Sequence, residues 1–132
     1  LEYPSVGHPH LTDRPGLTHM MANNETGEIY DILSMRCNAP NALFACDATA
    51  AVGQIPVDFK ALGVDYLAFG AHKFGGISGI GCLIVKKDTP LLSMIRGGGQ
   101  EWGKRGGTES VALACAMAAA LHERTNKMLI GM

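Results

Sequence analysis

The sequence predicts an α/β fold built on a mainly parallel sheet, and three features predict it. Apolar runs of strand length alternate with short helical stretches, glycine-rich turns separate them, and a long alanine-rich helical stretch follows the last strand. In layered folds of this class, ligands gather at the carboxyl ends of the parallel strands. The 132 residues are 47% hydrophobic and 17% charged, a globular balance, and no internal repeat, low-complexity tract or domain boundary divides them.

Taken in order, residues 1–16 hold Pro4, Pro9 and Pro15 and read as a surface loop; His8 and His10 lack a third ligand there, so no metal site is expected. Residues 17–22 form a strand that ends in the turn cluster Asn23-Asn24-Glu25-Thr26-Gly27. A short helix carrying Ile29, Ile32 and Leu33 is expected over residues 28–36, and Pro40 stops it. Residues 42–46 are a second strand, with Asp47 at its carboxyl end. Residues 48–53 are small and helix-compatible, so Asp47 could simply cap a helix beginning there. One helical turn is expected at residues 59–63, strands at residues 66–70 and 80–85, and a closing turn at residues 86–90. A second glycine-rich segment, residues 96–108, opens onto a helix over residues 109–126. Its stripe Val111, Cys115, Ala118 and Leu121, beside His122, is expected to pack on the sheet, and Thr108 could simply cap it.

Eleven basic and twelve acidic residues leave a net charge of −1, which gives no electrostatic case for nucleic acid or an anionic membrane surface. The four cysteines, Cys37, Cys46, Cys82 and Cys115, are widely spaced and form no metal-finger pattern. Cys46, Cys82 and Cys115 sit in apolar runs and read as small buried hydrophobes in a reducing cytoplasm. No signal peptide opens the chain and no run reaches the roughly 20 apolar residues of a membrane span, so a soluble protein is expected. Leu1 at the start and a helix running into the end make both termini read as cut.

Asn24, Asp47 and Lys73 each follow the end of a different expected strand, so three loops can converge on one ligand. Lys73 stands among small residues, where an amine can lose solvation and bind an aldehyde as a Schiff base. A carboxylate at a neighbouring strand end is the other part a pyridoxal phosphate site requires, because it keeps the pyridine nitrogen protonated.

Four motifs in order, Asn23-Asn24-Glu25-Thr26-Gly27, Cys46-Asp47-Ala48-Thr49-Ala50-Ala51-Val52-Gly53, Ala71-His72-Lys73-Phe74 and Gly97-Gly98-Gly99-Gln100-Glu101 through Arg105-Gly106-Gly107-Thr108-Glu109, resemble the cysteine desulfurase branch of the class-V aminotransferases. The resemblance implies the large domain of a fold-type I pyridoxal 5'-phosphate enzyme, three-layered with a mainly parallel sheet, of which residues 1–132 are a central part. It implies a homodimer that takes sulfur from L-cysteine, leaves L-alanine and a persulfide on an enzyme cysteine, and passes sulfur to an acceptor or scaffold protein in iron–sulfur cluster assembly. By the same resemblance Lys73 is the Schiff-base lysine, with His72 beside it in the catalytic motif and helping to hold the cofactor phosphate. Asp47 pairs with the pyridinium, Asn24 touches the cofactor ring or substrate carboxylate, and Thr108 reaches the phosphate of the neighbouring subunit. Two positions depart from the family: Ala50 and Gly70 stand where a glutamine and a serine are usual, removing two polar contacts to the cofactor. The family's sulfur-accepting cysteine lies further downstream, so these residues alone are expected to be inactive. A selenocysteine lyase, another class-V aminotransferase, or a phosphate-binding module without catalysis are the other readings.

Overall fold

A computed structural model of the chain describes residues 14–130, so the loop expected over residues 1–16, with His8 and His10, falls almost wholly outside the described residues. Four strands, β1 (Gly16–Met20), β2 (Leu43–Asp47), β3 (Tyr66–Gly70) and β4 (Gly81–Val85), form one sheet in the order β1-β2-β3-β4. The first two pairings are parallel and β3–β4 is antiparallel. A crossover must intervene between parallel neighbours, and the helices α1 (Ile32–Asn38) and α2 (Phe59–Leu62) lie in those crossovers. A glycine-rich connection after β3 turns the chain straight back into β4.

Alternation along the strands decides which face is covered. Phe44, Cys46 and Leu67 are buried on one face and form a single core with Ile32, Val64, Ala71 and Phe74. Tyr30, Met35, Phe59, Leu62, Met117, Ala120 and Leu121 pack against that core, so the helices gather on this face. Leu43, Ala45, Tyr66, Ala68 and Val85 on the other face are only half-buried, and Met20 and Leu83 are exposed. The described residues thus supply two of the layers of the expected fold.

The helices differ from expectation in register. Residues 28–30 are not helical: Ala22 and Ile29 pair as an isolated antiparallel bridge, and α1 begins only after Asp31, whose carboxylate accepts the Ser34 N–H at 3.0 Å. Residues 48–53 form hydrogen-bonded turns rather than a helix. The helix over residues 59–63 is found as α2, capped by Asp58 and closed by Gly63 at φ +66°. The long helix α3 runs Val111–Ile130. Of its expected stripe only Leu121 turns inward: Val111, Cys115, Ala118 and His122 are exposed, while Leu113, Ala116, Met117, Ala120 and Arg124 are half-buried with Leu121. Alanine on every side leaves little hydrophobic asymmetry, so the sequence could not set the rotational phase that packing selects.

Candidate active site

The three parallel strands end nearly level, because Met20 stands opposite Asp47 and Asp47 opposite Ala68. Two backbone bonds continue this register past the strands, Met21 N–H to Asp47 O at 2.7 Å and Ala48 N–H to Ala68 O at 2.8 Å. From the end of β1 the chain enters a tight turn in which Asn23 Oδ1 accepts the Glu25 N–H at 2.9 Å, leaving Asn24 at the apex. From the end of β3 it enters a 3₁₀ turn, Ala71–Phe74, that carries His72 and Lys73 and ends on Gly75 at φ +87°. Lys73 Nζ donates to Asn24 Oδ1 at 2.9 Å. These residues come from strands separated by β2, so the bond passes over the strand end where Asp47 stands.

Asp47 is exposed, and its Oδ1 accepts the Thr49 N–H at 2.9 Å; the bond braces a turn and caps no helix. Among the described residues the ion pairs are Arg36–Asp65 and Glu123–Lys127, which leave the Asp47 carboxylate and the Lys73 amine unpaired. Lys73 itself is half-buried. An amine and a carboxylate at adjacent strand ends, neither committed to a protein countercharge, suit a ligand that carries both an aldehyde and a ring nitrogen.

His72 is exposed, and its ring crowds Gly70: a Cβ on Gly70 would stand 3.0 Å from both His72 Cε1 and Nδ1. The backbone of Gly70 is extended, so what glycine provides is space for the imidazole rather than an unusual conformation. Ala50 lies half-buried in the turns after Asp47 and brings no polar side chain. Thr108 is exposed, three residues ahead of Val111, and caps no helix, so the simpler reading of it as a cap does not hold. It shares no hydrogen bond with Asn24, Asp47 or Lys73 among the described residues. The preceding glycines let the backbone meet itself: a Cβ on Gly106 would lie 2.8 Å from Gly97 Cα, and the Gly106 N–H donates to Ile95 O at 2.7 Å.

The cysteines divide by exposure. Cys46 is buried beneath the site, and burial, with Asp47 adjacent, pushes its thiol up to about 11. Cys82 is half-buried and raised by burial and then by Glu101. Cys37 and Cys115 are exposed on helices, so Cys115 is not the buried hydrophobe its alanine-rich surroundings suggested. Sequence reading missed Gln54 and Arg124, which link α3 to the backbone of Lys73; nothing local marks them, since the contacts span 19 and 70 residues.

The chain is similar to proteins of a known family. A family model described as aminotransferase class-V matches residues 8–128. A cysteine desulfurase of Enterobacter agglomerans is 43% identical over 79% of the chain, and one of Klebsiella pneumoniae is 42% identical over 92%. The chain spans only 26% and 31% of those two proteins, less than a third of their length. Among solved structures, a NifS-like protein from Rickettsia africae superposes with a TM-score of 0.80 at 35% identity, over 86% of this chain and 32% of that one. The family model spans the strand ends that carry Asn24, Asp47 and Lys73, and on the strength of that match the chain belongs to the class-V aminotransferase family; the two relatives named above are cysteine desulfurases.

Proposed function

We propose that the protein carrying these residues is a pyridoxal 5'-phosphate-dependent cysteine desulfurase, and that residues 1–132 belong to its cofactor-binding large domain. The hydrogen bond from Lys73 Nζ to Asn24 Oδ1 carries the reading, because it joins the amine to the amide on the two loops that flank the strand ending in Asp47. Bound there, the cofactor would supply an aldehyde carbon for an amine and a ring that accepts electrons from the substrate. Lys73 would hold that aldehyde, and its Nζ is the group here suited to carry a proton to and from a bound amino acid. Asp47 would keep the proton on the pyridine nitrogen. Asn24 keeps the lysine aimed and would offer its amide to the ring oxygen or the substrate carboxylate. His72, whose ring lies against Gly70, would help hold the phosphate where the family's serine contact is missing.

The reaction cleaves the carbon–sulfur bond of L-cysteine, with sulfur leaving to an enzyme thiolate as a persulfide while the alanine carbon gains a proton. None of the four cysteines is assigned that thiolate, because Cys46 is buried and protonated, Cys82 is half-buried, and Cys37 and Cys115 are held on helices. Sulfur passes onward to an acceptor or scaffold protein for iron–sulfur cluster assembly, in a cytoplasm that keeps the four free cysteines reduced. A homodimer suits the segment around Thr108, where Trp102 is 91% exposed and Met94 83% exposed beside Leu92 and Ile95.

Borohydride reduction of the cofactor-loaded protein, followed by peptide mass spectrometry, should place a pyridoxyl group on Lys73. Lys73→Ala should abolish it together with alanine release from L-cysteine. A label on Lys60, Lys86 or Lys104 instead would overturn the assignment.

A further inference from the structure

Gln54 makes two side-chain hydrogen bonds that use its amide in both senses. Its Nε2 donates to the backbone carbonyl of Lys73 at 2.9 Å, and its Oε1 accepts from Arg124 Nη2 on α3, also at 2.9 Å. The pair fixes the orientation of the amide, since the flipped form would set oxygen against a carbonyl and NH₂ against a guanidinium. The backbone beside it is equally constrained. Gly53 has φ +76°, and a Cβ there would lie 2.5 Å from Phe74 Cβ, so residues 53–54 seat directly on residues 73–74. Phe74 is buried in the core below.

At its other end the same loop begins with Asp47. Between them run short turns, with Ala51 N–H and Val52 N–H on Ala48 O and Gln54 N–H on Ala51 O. One stiff loop therefore spans from the carboxylate to the carbonyl of the lysine. The lysine's own turn is weakly held by comparison, because a single 3₁₀ turn of four residues leaves its last carbonyls without internal partners. The Lys73 carbonyl finds its partner in Gln54, and rotation of that peptide would swing the lysine side chain away from Asn24.

We propose that Gln54, oriented by Arg124, is a positioning residue that sets the distance and aim of the Lys73 amine relative to Asp47. The inference rests on the reading of Lys73 as the cofactor lysine and deepens it. The donor to the carbonyl carries the effect, so the side chains that keep a donor there keep the function.

The test uses Gln54→Leu, Gln54→Glu and Gln54→Lys in the protein that carries the chain, with two readouts besides turnover. One is the rate at which pyridoxal phosphate is trapped on Lys73 by borohydride, with Lys60 and Lys86 as internal controls; the other is amide hydrogen exchange over residues 71–76. Gln54→Leu and Gln54→Glu should slow trapping at Lys73 about tenfold, leave the control lysines unchanged and raise exchange over residues 71–76. Gln54→Lys, which retains a donor, should stay within about twofold of the parent on both readouts. Faster exchange with parental trapping in Gln54→Leu makes the residue a structural tie only and overturns the proposal. Selective trapping on Lys73 in the parent that is unaltered in Gln54→Leu overturns it alone. A parent in which Lys73 is trapped no faster than Lys60 or Lys86 overturns the assignment of Lys73, and the proposal with it.

Discussion

At Gly53 two separate constraints forbid a side chain, a left-handed backbone and contact with Phe74 Cβ. Gly53→Ala should therefore cost about 1–2 kcal/mol for the conformation and about 1–3 kcal/mol more for overpacking. Urea unfolding checks this, and an unchanged midpoint would remove the close seating of residues 53 and 74. Cys46 gives a prediction in pH. Its unfolded thiol loses its proton near 9.0, whereas in the fold burial first and Asp47 second raise it to about 11. Between those values the unfolded chain binds fewer protons, so stability is complete below pH 9.0 and declines as pH rises toward 11. Cys46→Val should flatten the decline in urea midpoints measured across that interval. Residue identity also explains how much of the site could be read directly: Lys73, Asp47 and Asn24 each lie just past an apolar run, and such runs announce strand ends. The crowding of His72 on Gly70 depends on a ring orientation that the sequence does not encode locally.

Elements are joined by a buried clamp between Arg36 at the end of α1 and Asp65 ahead of β3. Asp65 accepts the Phe44 N–H at 2.9 Å and lies 3.8 Å from Arg36, which also donates to the carbonyls of Gly63, Ala39 and Ala42. Arg36→Met strands a buried carboxylate and should cost about 3–5 kcal/mol, read by denaturant unfolding. A loss below 1 kcal/mol would mean that Asp65 is held by the backbone alone. The glycine-rich segment before α3 poses a different question. Thr108 stands clear of the helix and so is not a cap, which leaves its hydroxyl free for a neighbouring copy. Thr108→Val should weaken cofactor affinity by about 1–3 kcal/mol without loss of helix content. Cofactor titration with sedimentation checks it, and unchanged affinity in a dimeric variant would leave Thr108 with no role in the site.

Across the whole molecule the sheet is covered unevenly. The helices pack on one face, Met20 and Leu83 are exposed on the other, and β1 and β4 each leave one edge unpaired among the described residues. An apolar face and two strand edges are liabilities in isolation. The 132-residue chain expressed by itself should bind a hydrophobic dye and should not release alanine from L-cysteine. Turnover from the purified chain that depends on added pyridoxal phosphate would refute the second expectation.

Strand positions, the polar residue just beyond each strand and the glycine breaks were determined by the sequence itself, because two-residue alternation and turn chemistry are local properties. The strand ends in turn point to Asn24, Asp47 and Lys73, two of which the Lys73–Asn24 bond joins. Only the tertiary structure decided the reversal of β4, the inward-facing stripe of α3, the start of α3 beyond Thr108 and the bond from Gln54 to Lys73. Each depends on partners far apart in the chain, and in α3 the uniform alanine surface carries too little asymmetry to choose a face before packing does.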